Sequence, residues 1–508
     1  KNEVFGEDNE MKLVFQPKYK LTLLHKLVIF FLLLTGISSI FINKSGYYEK
    51  CYHEKINYFN LLHEGNYVIT IRYSELPEGS DLIIYTKNWA DQYNQAGVEI
   101  ARMPLQAGNA EVETEIHIDR DTNRIYVVTT ADTEDQSYID QVSASAMQLL
   151  DYDNYYIALI YITTAMIILI LGLYVDYQKY YRFALLIVIG MIASFPFFSD
   201  FLIVIQDFDL KFHFARVNGI YAGICAGEFP VRINSVQTEG LGNISATMYP
   251  ALFLYPIAML HVLRMSTVLA YKMVMTTANI GAAAFTFYGV KSMCRSEKMG
   301  WAASIFYTFS LYRLNDMYMR GAVGEALAMT FFPLVIWGAY EILYGQKKRW
   351  YILMIGMTGV IESHVLSTEM CAIFLAMQGL LFVFSKRTDN KLKRVGYGAI
   401  AVVGTVLLNM SFLVPFLHYY REKFVVFSLK NALSGRAVYF SQMFTLFSKA
   451  QGVDCARGYT TGEMPLTLGA PLVIGVLAFV LMQTIKKNDE KKYRIGVQCL
   501  VWGCIAAL

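Results

Sequence analysis

The chain is 508 residues long, 55% hydrophobic and only 17% charged, against roughly 45–50% apolar and 25% charged in an average soluble domain. Whole windows of ~20 residues carry no charge, which excludes a soluble enzyme, a disordered chain and a fibrous repeat and points to a multi-spanning membrane protein. A net charge of +3 offers no broad basic surface to nucleic acid, and no GxxxxGK[ST] pattern is present for nucleotide hydrolysis. The seven cysteines, Cys51, Cys225, Cys294, Cys371, Cys455, Cys499 and Cys504, include no CxxC pair, so neither a zinc site nor a disulfide framework is expected. The chain opens on Lys1 and stops at Leu508 inside an apolar run; it reads as a fragment, with Met11-Lys12 a candidate start.

The first apolar run, 21–42, has Lys18 and Lys20 before it and His25 and Lys26 near its start. It has no small-residue cleavage site and reads as an uncleaved first helix with a cytoplasmic N-terminus. Further runs fall at 156–175, 183–205, 267–290, 301–318, 322–344, 351–364, 369–385, 395–417 and 466–483, and a last one begins at 495. The expectation is an α-helical polytopic membrane protein of about eleven helices. The basic clusters Lys179/Arg182, Lys291/Arg295/Lys298, Lys347/Lys348/Arg349, Lys386 to Arg394 and Lys486 to Arg494 then all share the side of the N-terminus, as the positive-inside rule demands. Segment 250–265 is apolar but interrupted by two prolines, His261 and Arg264. It is read as interfacial or re-entrant, because a crossing there would flip every later cluster.

The domain division expected is 1–42, an N-terminal segment and first helix; 43–153, an extracytoplasmic insert; and 154–508, a helical domain with outer loops at 206–266 and 418–465. The insert alternates apolar and polar residues at Tyr67 to Tyr73 and Glu111 to Ile118, with shorter runs at Leu82 to Tyr85 and Arg124 to Thr129. Turn residues at Pro77-Glu78-Gly79, Ala107-Gly108-Asn109 and 119–123 separate short strands in the manner of a β-sandwich. Its acids outnumber its bases, so it is a solvated module, either for glycan binding or for docking.

Charges beside a membrane core cost about 2.5–3.5 kcal/mol each on insertion scales and need a reason. Loop 206–266 is richest in them. Asp209, His213 and Arg216 fall at i, i+4 and i+7, one face if the stretch is helical. Such a face can hold a phosphorylated substrate through Arg216 and take a proton through Asp209 or His213. Arg232 is a second candidate phosphate ligand. Arg320 and Glu325 flank the end of one predicted helix and either face a substrate or pair with each other. His364, with Glu362 and Thr368, either contacts a sugar or phosphate or caps a turn.

The string Asp209-Leu-Lys-Phe-His213-Phe-Ala-Arg216, followed by Gly227-Glu-Phe-Pro230-Val-Arg232 and Tyr249-Pro250, then Tyr312-Arg313-Leu-Asn-Asp316, Arg320-Gly-Ala-Val-Gly324-Glu325 and Glu362-Ser-His364, resembles the YfhO-like bacterial membrane proteins of the GT-C glycosyltransferase superfamily. The resemblance covers roughly 183–368 and the rest only by hydropathy. It implies a GT-C-like fold in a bacterial plasma membrane, a polyprenyl-phosphate sugar as donor and an envelope glycan or teichoic-type polymer as acceptor. It also implies a catalytic Asp in an early extracytoplasmic loop: Asp209 matches, with Asp207 as runner-up. The family carries that loop directly after its first helix, whereas here it follows the third. Asp207-Phe208-Asp209 has DxD form, which leaves room for a divalent metal but requires none. Two other function classes stand beside the enzyme: a transporter of lipid-linked glycan, which requires ionisable residues in mid-helix, and a scaffold acting through the insert.

Overall fold

The computed structural model describes residues 18–41, 58–62, 65–87, 98–118, 122–131, 138–149, 153–198, 208–234, 242–384 and 390–421. The expected helices at 466–483 and from 495, most of loop 418–465 and Asp207 lie outside them. The chain divides into two compact units, one of Lys1–Lys44 with Tyr152–Leu185, the other of Ser45–Asp151 with Leu186–Leu508. Among the described residues five helices are long and apolar enough to cross a membrane, or six if one bent pair is a single span. That pattern fits a membrane-embedded helical protein.

In the first unit, α1 (Leu23–Ile40) and α2 (Asp153–Tyr174) pack antiparallel: Lys18 N donates to Leu173 O at one end and Ser39 Oγ to Asn154 O at the other. The seam is built from small residues, Gly36 and Ser39 against Ala158, Ala165 and Gly172. A Cβ on Gly36 would lie 3.0 Å from the Tyr161 Cβ. Close backbone approach is how helices gain dispersion contacts where lipid offers no hydrophobic drive. Helix α3 (Tyr177–Ala193) follows, with 177–185 in this unit and 186–193 in the second.

The second unit contains the strand-rich insert. Strands β1 (Tyr58–Leu62), β2 (Gly65–Leu76), β3 (Asp81–Lys87), β4 (Val98–Pro104), β5 (Gly108–Ile118), β6 (Thr122–Thr129) and β7 (Ile139–Leu149) form two antiparallel sheets, ordered β1-β6-β3-β4 and β5-β2-β7. Period-two burial sends Tyr67, Ile69, Ile71 and Tyr73 of β2 to one face, and they share a hydrophobic cluster with Leu82, Ile84 and Val127 of the other sheet. The two alternating runs and the two shorter runs each became a strand; β1, β4 and β7 were not anticipated.

The helical remainder of this unit runs α4 (Phe208–Cys225), α5 (Ser245–Met248), α6 (Tyr255–Val262), α7 (Thr267–Cys294), α8 (Glu297–Thr308), α9 (Leu311–Asn315), a π turn at Asp316–Arg320, α10 (Val323–Leu343), α11 (Tyr351–Ile361), α12 (Val365–Phe384), α13 (Lys391–Leu408) and α14 (Met410–Tyr420). Helix α6 has eight residues and rises about 12 Å, far short of a ~30 Å hydrocarbon core. Segment 250–265 is therefore too short a helix to cross.

Three expected spans are interrupted. Run 183–205 leaves the α-helix at Ala193 and tightens into a 3-10 turn at Phe195–Phe198. The run 301–318 is broken where Ser310 turns extended, with ψ 133, and its second half closes at Gly321, where φ is +68. Run 395–417 bends by 78° between α13 and α14. The hinge is Asn409, fully buried, whose Nδ2 donates to Thr405 O at 2.6 Å and Thr358 Oγ1 at 3.0 Å; an amide bonding its own helix backbone competes with the regular ladder.

Prolines in the helices leave a carbonyl without its usual N–H partner four residues earlier. Both freed acceptors are served from other elements. Pro333 frees Met329 O, which takes the Tyr307 hydroxyl. Pro415 frees Ser411 O, which takes Arg232 Nη1 at 2.8 Å.

Candidate functional site

Three of the residues singled out in sequence, Asp209, Arg320 and Glu325, converge at the start of α4, the π turn and the start of α10. Asp209 lies in the first turn of α4. Its Oδ2 is 2.6 Å from Arg320 Nε, and both side chains are partly exposed, at 37% and 42%. Arg320 Nη1 also meets Glu325 Oε2 at 3.0 Å and Asp316 Oδ1 at 3.5 Å. The second Glu325 oxygen accepts the Tyr312 hydroxyl at 2.6 Å. Arg320 and Glu325 thus do pair with each other, and Asp209 joins them from a segment over a hundred residues away. Burial works against the Arg320 charge, but Asp209, Asp316 and Glu325 together outweigh it and hold the guanidinium above its ordinary value.

His213 and Arg216 lie one turn deeper, both at 3% exposure. Arg216 Nη2 donates to Tyr249 O at 2.9 Å and Pro250 O at 2.7 Å, and its guanidinium carbon lies 4.6 Å from the centre of the Tyr249 ring. Burial lowers Arg216 to about 10, and it stays charged at neutral pH. The expected shared face therefore divides its tasks: Asp209 reaches the π turn, while Arg216 ties α4 to the Tyr249-Pro250 corner. Tyr249 sits between His213, at 5.5 Å between ring centres, and His364, at 5.8 Å. Gly324 makes room for it, since a Cβ there would run into the Tyr249 hydroxyl and Ser363 O.

His364 caps α12. Its Nδ1 accepts from Ser367 N at 3.3 Å and lies 2.8 Å from Ser367 Oγ, the capping alternative raised from sequence. Burial lowers its basicity, with Arg320 acting in the same sense against Glu325 and Asp209. Arg232 donates to Ser411 O of α14 and its charge acts on Glu362, two residues before His364. Its neighbours on the loop, Val231 and Asn234, are pinned by the Tyr255 hydroxyl at 2.8 Å and by a bond from Asn234 Nδ2 to Ala215 O at 3.0 Å. Asp316 and Tyr312, which sequence reasoning quoted in a motif without giving them a role, belong to the cluster.

Among the described residues no group of three or more His, Cys, Asp or Glu forms a metal-ligand set; the Arg320 guanidinium occupies the centre of the three carboxylates. Comparisons with family models, with curated proteins and with solved structures give no match.

His213 is held neutral: burial first, then Arg216, His364 and Arg320, push it well below its ordinary 6.5. The unfolded chain takes up a proton below that value which the folded chain refuses, so stability is full above it and falls as pH drops through it. Thermal melts between about pH 7 and pH 5 are expected to decline, and to decline less steeply in His213→Gln. Parallel declines in the two proteins would remove His213 as a cause.

Proposed function

We propose that this chain is a GT-C type membrane glycosyltransferase. It moves a sugar from a polyprenyl-phosphate donor to a hydroxyl of a cell-envelope glycan or teichoic-type acceptor on the outer face of a bacterial plasma membrane. In this reading the described helices are part of an eleven-span array with a cytoplasmic N-terminus, and the two-sheet insert is an extracytoplasmic β-sandwich. The observation that carries the proposal is the half-exposed Asp209–Arg320 pair, built from segments far apart in sequence and backed by Glu325.

The reaction assigned to it is an inverting transfer. The acceptor oxygen attacks the anomeric carbon, its proton passes to the Asp209 carboxylate, and the sugar–phosphate bond breaks with its electron pair on the phosphate. Arg320 is the cation nearest the base, and Arg232 is a further candidate for the phosphate. His213 and Arg216 hold the loop rather than meet substrate. A charged fork such as Arg320 suits phosphate because its planar N–H donors match two oxygens at once.

The test is transfer of labelled sugar from a polyprenyl-phosphate sugar to endogenous envelope acceptors in proteoliposomes holding the purified chain. No transfer across a panel of donor sugars would overturn it. The orientation is tested separately. A single cysteine at Ser296, in an otherwise cysteine-free protein, is expected to resist an impermeant maleimide in intact cells and to react after permeabilisation. Labelling in intact cells would invert the scheme.

The transporter reading has one observation in its favour: Arg313 and Asp316, inside a run expected to span, are both fully buried. It predicts lipid-linked glycan movement across proteoliposomes without sugar transfer.

A further inference from the structure

Asp316 is the one carboxyl of the cluster that water does not reach: its exposure is 0%, against 37% for Asp209 and 18% for Glu325. Among the described residues no donor makes a hydrogen bond to either of its oxygens. Its single ion pair, 3.5 Å to Arg320 Nη1, is the longest of the three that Arg320 makes. The other nearby cation, Arg313, spends Nη1 on Asn279 Oδ1, and among the described residues its Nε and Nη2 find no acceptor. The groups that face Asp316 are Arg320 on its own turn, Arg313 and Tyr312 from α9, Glu325 from α10, Asp209 from α4 and Tyr271 from α7. With all three carboxyls ionised, the set around Arg320 would carry two net negative charges. A buried carboxylate without hydrogen bonds is costly enough that such groups take up a proton instead. A π turn, which Asp316 opens, is frequent at functional sites.

We propose that Asp316 carries a proton at neutral pH and so acts as the positioning residue that keeps Arg320 committed to Asp209 and Glu325. With that proton the cluster has one excess negative charge instead of two, and the buried Arg313, whose charge also acts on Asp316, balances the remainder. An anionic phosphate then approaches Arg320 against one fewer negative charge. The proton assignment stands independently of the transferase reading; its role in admitting a phosphate rests on that reading.

Infrared spectroscopy of the purified full chain in nanodiscs tests it without any substrate. A protonated carboxylic acid has a carbonyl stretch well separated from that of a carboxylate, and carboxyl-¹³C aspartate shifts an Asp band but not a Glu band. The expected result at neutral pH is one protonated-Asp band that is lost in Asp316→Asn and retained in Asp209→Asn and Asp153→Asn. No protonated-Asp band in the unsubstituted protein, a band that survives Asp316→Asn, or its loss in Asp209→Asn would overturn the proposal. Should Asp316→Asn fail to insert, the other two variants decide, because survival of the Asp band in both supports Asp316 and its loss in either refutes it. Failure of the sugar-transfer assay leaves this band unchanged, so the two proposals fail separately.

Discussion

Asp209→Asn is expected to insert and fold like the unsubstituted protein and to lose sugar transfer by about 10²–10⁴-fold, the usual contribution of a positioned general base. The fold should survive for a local reason. Asp209 is partly exposed, and when its charge is removed Arg320 keeps Glu325 at 3.0 Å and Asp316 at 3.5 Å. Half-exposed ion pairs contribute only ~0–1 kcal/mol, so melting should change little. Asparagine keeps the shape and one hydrogen-bonding oxygen but cannot accept the acceptor's proton. Asp207→Asn and His213→Gln belong in the same experiment. Full transfer by Asp209→Asn with loss in Asp207→Asn would move the base by two residues and leave the class intact. Full transfer by all three would remove the enzyme reading and return the scaffold to the front.

Arg216→Ala is expected to show the opposite profile, with a stability loss on the order of 3 kcal/mol and any activity change following from it. Truncation leaves the Tyr249 and Pro250 carbonyls without the donor now 2.9 and 2.7 Å away; each buried polar group left unpaired costs roughly 1–3 kcal/mol. The cation over the Tyr249 ring, 4.6 Å from its centre, adds a further ~0.5–2 kcal/mol. Arg216→Lys keeps the charge but not the planar fork, so it should fall between the two. Thermal unfolding and yield in nanodiscs are the measurements. Normal melting with weakened donor binding would show that Arg216 is a phosphate ligand after all.

Where one period dominates, sequence and structure agree. Strict alternation in Tyr67 to Tyr73 located β2, and long apolar runs located α1, α2, α7, α10 and α12. The failures are physical rather than accidental. Hydropathy integrates over a window and does not register that the Asn409 amide prefers its own helix backbone, or that Ser310 turns extended between two apolar helices. For the site, ionisable residues near a membrane core identified Asp209, Arg320, Glu325 and His364 one by one. Helical spacing then grouped Asp209 with Arg216, and that grouping misleads, because a side chain chooses partners across elements. No spacing rule connects Asp209 to Arg320, or says that Asp316 is the carboxyl sealed from water.

The bond from Arg232 to the carbonyl freed by Pro415 has a consequence for the order of assembly. Its two ends are 179 positions apart, and a ribosome adds roughly 5–20 residues each second. The loop that carries Arg232 is thus made on the order of ten seconds or more before its anchor exists. Through that interval the contacts open to it are nearer ones, among them the Tyr255 hydroxyl on Val231, Asn234 on Ala215 and the paired backbones of Asn234 and Asn243. Substituting Pro415 with alanine would restore the N–H that Ser411 O lacks and put the helix in competition with Arg232 for the same oxygen. A residue usually regarded as a helix breaker serves here as the late-arriving socket that fixes an early loop.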